Sequence, residues 1–161
     1  MMTADFDEIY KMYSPQIFRV CMGYVNNPDQ AKDLTQEIFI SVWKGLPSFR
    51  GESKINTWIY RIATNTCLRS IEIAKRMHTT ELPANLPEVK EEAIDDKLSF
   101  LYNCIAQLEE TERIIISLIL EDLPQAEIAV IVGLTNENVR VKVYRIKKKL
   151  AAKFKLNGQF G

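Results

Sequence analysis

The sequence predicts an all-α protein made of two small helical units joined by a flexible acidic linker. Three observations predict it. Apolar residues recur at helical spacing along most of the 161 residues, with no alternation of the kind that marks strands. The stretch from Leu123 to Leu150 reads as two helices around a tight turn. Between Thr79 and Asp96 the acids Glu81, Glu88, Glu91, Glu92, Asp95 and Asp96 stand against Lys90 alone, beside Pro83 and Pro87. That composition favours a tether over a packed element.

Taken in order, Phe6, Ile9, Tyr10 and Tyr13 mark a first amphipathic helix. Ser14-Pro15 is expected to interrupt it and cap a second segment, with Ile17, Phe18, Val20, Cys21 and Tyr24 inward. Asn26-Asn27-Pro28-Asp29 is a turn and a helix start. The next helix runs to about Leu46, burying Leu34, Ile38, Val42 and Trp43. Its other face carries Asp33, Gln36, Glu37 and Lys44, and Pro47 ends it.

A turn-forming stretch, Pro47 to Ser53, leads to a third helix with Ser53 as its N-cap. Ile55, Ile59, Ile62 and Leu68 line the core. Asn56, Thr57, Tyr60, Arg61 and Asn65 are expected partly outside it. Amide, aromatic and cationic groups on one face suit stacking and hydrogen bonding to unpaired bases. The ordinary role of Trp58 and Tyr60 as core or rim aromatics competes with that reading. After the tether, Ile94, Leu98, Leu101, Ile105 and Leu108 open the second unit, and Thr111 caps a helix bearing Ile114, Ile115, Leu118 and Ile119.

The last stretch carries the most information. Pro124 suits the first position of a helix. Ile128, Ala129, Ile131 and Val132 give it an apolar face. Gly133 can end the helix in the left-handed conformation. Leu134 plugs the turn, and Thr135 caps the helix that follows, with Asn136, Glu137 and Asn138 in its first turn. Val139, Val143, Ile146 and Leu150 form a buried stripe. Glu137, Arg140, Val141, Tyr144, Arg145 and Lys148 are left outside.

This is a helix-turn-helix pattern, whose second helix fits the major groove of duplex DNA. From Asn136 to Lys155 the cations are Arg140, Lys142, Arg145, Lys147, Lys148, Lys149, Lys153 and Lys155, against Glu137 alone. A helix so one-sided is drawn to phosphates. A solvated basic helix end, favoured by the helix dipole, is the plainer alternative.

Composition sets the outer bounds. Formal net charge is zero, but an acidic connector separates two mildly basic flanks, as suits a nucleic-acid binder that must not adhere everywhere. Cys21, Cys67 and Cys104 are widely spaced on apolar helical positions. They read as buried free thiols in a reducing compartment. With His78 the only histidine, no metal site is expected, and no cofactor either. The chain shows no membrane-spanning run, signal peptide, phosphate-binding glycine loop or nucleophile motif, so a non-enzymatic cytoplasmic protein is expected.

Two quoted stretches, AKDLTQEIFISVW and FRGESKINTWIYRIATNTCL, together with the helix-turn-helix in this order and spacing, carry a resemblance. The chain resembles the extracytoplasmic-function group of bacterial sigma-70-like RNA polymerase sigma factors. The resemblance covers nearly the whole chain. It implies a region 2 helical bundle over residues 1–77, a linker over 78–93 and a region 4 helix-turn-helix over 94–161.

The resemblance also implies roles. Asp33, Gln36 and Glu37 fall where the family docks on the clamp helices of the largest subunit of core RNA polymerase. The loop from Phe49 to Ser53 and the helix bearing Asn56, Thr57, Trp58, Tyr60, Arg61 and Asn65 fall where it captures unpaired bases of the minus-ten element. The helix bearing Asn138, Arg140, Val141, Lys142, Tyr144, Arg145 and Lys148 falls where it reads the minus-thirty-five element of promoter DNA. An anti-sigma factor is the implied regulatory partner. Pro124 departs from the hydroxyl residue that caps this helix in many relatives, and Lys54-Ile55-Asn56 is atypical.

Two other readings compete. A helix-turn-helix regulator would dimerise on operator DNA without being a polymerase subunit. A helical adaptor that binds only protein would show no salt-dependent DNA affinity.

Overall fold

The computed structural model describes residues 6–76 and 96–157. Among them are seven α-helices and one short 3-10 turn, and the fold is all-α. The first unit holds α1 (Phe6–Val25), α2 (Pro28–Gly45) and α3 (Ile55–Arg76); the second holds α4 (Asp96–Ala106), α5 (Glu110–Ile119), α6 (Gln125–Val132) and α7 (Asn136–Asn157). The expected linker, 78–93, lies outside the described residues, as do Ala93 and Ile94.

Pro15 sits inside a continuous α1 instead of breaking it. Proline lacks the N–H of one helical bond and costs roughly 3 kcal/mol in a helix interior. Here tertiary packing outweighs that cost. Ile17, Val20, Cys21, Met22 and Tyr24 are all buried, because α1 is covered by α2 and α3 on one side and by α4 and α5 on the other. The apolar arc of this half-helix is therefore far wider than the stripe of a surface helix.

The start of α2 follows its local chemistry. Asn27 accepts a hydrogen bond from the Gln30 N–H at 3.0 Å, and Pro28 opens the helix. Leu34, Ile38 and Val42 are buried as expected. Trp43 is not: it is 61% exposed, next to Ile40 at 53%. Position 43 follows Ile40 by three and Gln36 by seven, so it shares the acidic outer face and not the apolar stripe.

Three other expectations shift. The main-chain carbonyl of Lys54, and not Ser53, accepts the first bond of α3, from the Trp58 N–H at 3.1 Å. Glu109, not Thr111, is the N-cap of α5. Leu98 is 40% exposed, and Tyr102, Cys104 and Ile105 take the core positions of α4. Cys21, Cys67 and Cys104 are buried free thiols, with the Cys21 and Cys67 sulfurs 3.9 Å apart. Their mutual hydrogen bond and burial push the Cys67 thiol well above its ordinary range.

The two units share one core. Helix α1 packs on α5, and α3 packs on α6. Gly23 of α1 makes the closest approach possible: a Cβ there would collide with the Ser117 hydroxyl of α5. Beside it the Arg113 guanidinium lies 5.1 Å from the centre of the Tyr24 ring. Arg19 grips Glu121 with two nitrogens, at 2.7 and 2.8 Å. Asn26 donates to Asn103 at 2.8 Å, and Lys54 pairs with Glu127 at 3.2 Å.

Candidate nucleic-acid interface

The helix-turn-helix forms as its turn chemistry dictates. Helix α6 ends at Gly133, whose φ of 76° is the left-handed conformation that glycine adopts without strain. The N–H groups of Gly133 and Leu134 both bond the Ala129 carbonyl, at 2.9 and 3.0 Å. Thr135 then caps α7: its hydroxyl accepts from the Asn138 N–H at 3.1 Å and its carbonyl from the Val139 N–H at 3.0 Å. Pro124 is the N-cap of α6 and not its first helical residue, and it supplies no side-chain hydrogen bond.

Val139, Val143, Ile146 and Leu150 are buried. Full burial of each is worth roughly 1.5–3 kcal/mol as an upper figure, enough to hold the helix against α5 and α6. The opposite face is open. Glu137, Asn138, Arg140, Val141, Tyr144, Arg145 and Lys148 are exposed, and Lys142 is half-buried. Tyr144 and Val141 are apolar surface in that face, at 61% and 42% exposure.

Arg140 reaches Glu137 at 3.6 Å, and the Lys148 ammonium lies 4.9 Å from the centre of the Tyr144 ring. Both contacts are weak enough for a phosphate or base edge to replace them. A concavity lined by Gln125, Ala126, Asn136, Glu137 and Arg140 joins the starts of α6 and α7. The starts of both helices of the motif thus line one concavity, with Arg140 and Glu137 at its wall.

Sequence reasoning counted Lys149 among the cations available to phosphates. The structure instead pairs it with α5, its ammonium 2.9 Å from both carboxylate oxygens of Glu112 and its side chain still half in solvent. Burial pushes the Glu112 carboxyl up, but the Lys149 bonds and the Glu109 N–H more than offset this, so its pKa is lowered.

The first unit presents a second surface. On α3, Arg61 and Asn65 are exposed and Trp58 is half-buried, at i, i+3 and i+7 on one face. Trp58 leans on Phe49 of the preceding loop, with ring centres 4.9 Å apart. A Cβ on Gly45 would lie 2.9 Å from the indole, so the glycine makes room for it. Asn56 is half-buried, and its side-chain oxygen accepts from the Thr57 N–H at 2.9 Å.

Thr57 and Tyr60 depart from the expected outward face: they are 6% and 1% exposed. The Tyr60 hydroxyl donates to Gln16 at 2.7 Å. Burial raises its phenol above the ordinary tyrosine range, and the charges of Glu121 and Glu127, both from the second unit, add to the rise.

The third surface lies on α2. Asp33, Gln36 and Glu37 are exposed as expected. The apolar residues that sequence reasoning missed there are Ile40 and Trp43. Their spacing of three and seven from Gln36 held the signal, but Trp43 was placed by its hydrophobicity instead. An acidic stripe ending in an exposed indole is built for a protein partner with cationic and apolar groups side by side.

Among the described residues no group of three or more histidine, cysteine or carboxylate side chains could hold a metal ion. None of the described helices is long and apolar enough to cross a membrane.

Comparisons with known proteins find two family matches along the chain. The sigma-70 region 2 family matches residues 9–77, and the sigma-70 region 4 family matches residues 101–150. The RNA polymerase sigma factor YlaC of Bacillus subtilis is 28% identical over 159 residues, covering 89% of this chain and 88% of that one. The ECF RNA polymerase sigma-E factor of Haemophilus influenzae is 27% identical over 164 residues, covering 92% and 86%. The solved sigma factor RpoE of Bartonella quintana, in complex with the anti-sigma factor NepR, superposes with a TM-score of 0.75 at 18% identity, covering 98% of this chain and 99% of that one. The region 2 match leaves no place for a simple operator-binding regulator.

Proposed function

Because the chain belongs to the sigma-70 family and is an RNA polymerase sigma factor of the extracytoplasmic-function group, we propose how its surfaces divide the work of transcription initiation. The α7 face of Asn138, Arg140, Val141, Lys142, Tyr144, Arg145 and Lys148 reads the upstream promoter element in duplex DNA. The α3 surface captures bases of the downstream element once the strands part, with Trp58, Arg61 and Asn65 at its front and Asn56, Thr57 and Tyr60 behind them. The α2 face of Asp33, Gln36 and Glu37, extended by Ile40 and Trp43, docks on the clamp helices of core polymerase. Residues 1–77 and 94–161 act as the two working parts, and 78–93 as the connector.

The observation that carries this reading is the separation of the three faces. The α2 and α7 faces are solvent-facing, the α3 surface meets solvent at Trp58, Arg61 and Asn65, and each has the side-chain chemistry of its partner: cations for phosphate and base edges, an aromatic for unstacked bases, acids with an exposed indole for a protein. We also propose a cytoplasmic protein, since its partners are polymerase and chromosome, and an anti-sigma factor as regulator. The solved Bartonella relative, which is in complex with such a factor, supports the last point.

Run-off transcription with core polymerase on a pool of genomic promoters tests the proposal. Transcripts that start downstream of one shared pair of elements are expected. A chain that binds core polymerase yet yields no promoter-specific transcript would refute it.

A further inference from the structure

We propose that Val141, with Tyr144 beside it, is a specificity-determining contact of α7: the pair reads the C5-methyl groups of thymines in the upstream element. The inference rests on the reading of α7 given above, and it names the chemical group that this face detects. It starts from a contrast on the helix surface. The residues around the pair are charged or amide-bearing: Glu137, Asn138, Arg140, Arg145 and Lys148. Val141 and Tyr144 are the large apolar side chains exposed among them.

Folding does not account for them. Val139, Val143, Ile146 and Leu150 fill the buried stripe of α7, and neither Val141 nor Tyr144 is buried or packed against the core cluster. Helix formation does not account for them either, since valine and tyrosine are weaker helix formers than lysine, arginine or glutamine. Single apolar residues are common on protein surfaces. Two of them three positions apart on a helix, however, are neighbours on one face.

Their placement suits base edges. In a helix-turn-helix, the N-terminal part of the second helix faces the bases. Helix α7 begins at Asn136, so Val141 and Tyr144 fall in its second and third turns. Three residues advance about 4.5 Å along a helix, and base pairs stack about 3.4 Å apart. The two side chains are thus spaced for neighbouring base pairs. The Lys148 ammonium covers one face of the Tyr144 ring, 4.9 Å from its centre, and the rest of the ring stays in solvent at 61% exposure.

Chemistry then selects the base. In the major groove thymine presents a methyl group, whereas cytosine presents its N4 amino group and adenine its N6 amino group. Valine against thymine removes apolar surface from water on both sides. Against cytosine or adenine it covers an amino group and offers no acceptor. The contact therefore gains with thymine and loses with its competitors. The arginines and lysines nearby act on phosphates or guanine edges and do not detect a methyl.

The test uses holoenzyme assembled from the full chain and core polymerase, on a promoter that it transcribes. Each thymine of the upstream element, on either strand, is replaced in turn by uracil, which lacks only the methyl. Binding is expected to weaken about fourfold, the worth of one buried methyl, at one or two neighbouring positions and at no others. Val141→Ala is expected to abolish the difference between thymine and uracil at one of these positions, so that the two losses do not add. Tyr144→Ala should do the same at the position beside it. Both side chains are exposed, so the melting temperatures of the variants should match the wild type; damage to folding would weaken all duplexes alike and leave the thymine-to-uracil ratio intact.

Equal affinity for thymine and uracil at every position overturns the proposal. So does a uracil penalty that survives undiminished in both variants, or an upstream element with no thymine on either strand. Equal binding of the wild-type holoenzyme to intact and scrambled upstream elements would show that α7 does not read the element, and the proposal would fall together with that functional reading.

Discussion

Lys149 of α7 is bound to Glu112 of α5 through both carboxylate oxygens, each 2.9 Å from the ammonium. The same carboxylate accepts from the Glu109 N–H at the N-cap of α5. One acid therefore fixes the start of α5 and the rotation of the helix that faces DNA.

Glu112 should give the second unit a specific weakness to acid. Its folded pKa is held below the ordinary glutamate range by Lys149 and the Glu109 N–H, so its stabilisation is present above the unfolded value and is lost as pH falls through the folded pKa. Glu112→Gln should cost about 1.5–3 kcal/mol at neutral pH, the range for hydrogen bonds to charged groups. It should also flatten the fall in stability below about pH 4.5. Thermal unfolding across pH, followed by circular dichroism, checks both; an unchanged acid limb would assign the acid sensitivity elsewhere.

Arg140 and Lys148 should separate base reading from phosphate contact. Arg140→Ala should cost roughly 1–3 kcal/mol on the preferred site if the guanidinium reads a guanine edge. Lys148→Ala should weaken all sequences about equally and reduce the salt slope by roughly one unit. Neither should unfold the helix, because both side chains are exposed. Salt titrations on preferred and scrambled duplexes measure the two effects, and an Arg140→Ala variant with unaltered sequence preference would show the wrong reading face.

Trp58 should matter more to strand opening than to folding. Its indole is only half-buried, against Phe49 and Gly45. Trp58→Ala should therefore cost less stability than the roughly 3–5 kcal/mol of a fully buried aromatic. Stacking on one base is worth about 1–3 kcal/mol, so open-complex formation on duplex promoter should drop sharply, with partial rescue on a pre-melted template. A large fall in melting temperature with no rescue would place Trp58 in the core.

On α2, Glu37→Lys and Trp43→Ala should each weaken binding to core polymerase while leaving helicity intact. The first reverses a charge in the acidic stripe, and the second removes its exposed apolar anchor. An exposed tryptophan at the centre of an interface commonly costs 2 kcal/mol or more on truncation, a loss of about thirtyfold. Titration of core polymerase with labelled protein is the direct measurement, and unaltered affinity in both variants would move the docking face off α2.

What could be read from the sequence was what neighbouring residues decide. Gly133 and Thr135 dictate the turn through backbone conformation and a local cap, and both stand as expected. The stripe of Val139, Val143, Ile146 and Leu150 follows from period alone. Tyr60 could not be read this way, because α6, more than sixty positions later, packs on the helix that carries it. Lys149 looked like one more cation until Glu112, 37 residues earlier, claimed it. Pro15 shows the reverse: a strong local signal overruled by packing on both sides of α1.

The continuous core has a thermodynamic consequence. Two family modules on a tether would melt as two calorimetric transitions, each with its own midpoint. Here Ile17, Val20, Ile114 and Ile115 belong to one buried cluster that crosses the module boundary, so the free chain should unfold in a single cooperative step with a van't Hoff enthalpy equal to the calorimetric one. Either half produced alone would expose part of that cluster as a sticky apolar face. Fragments cut at the connector should therefore associate with each other in trans, and each should be less soluble than the intact chain.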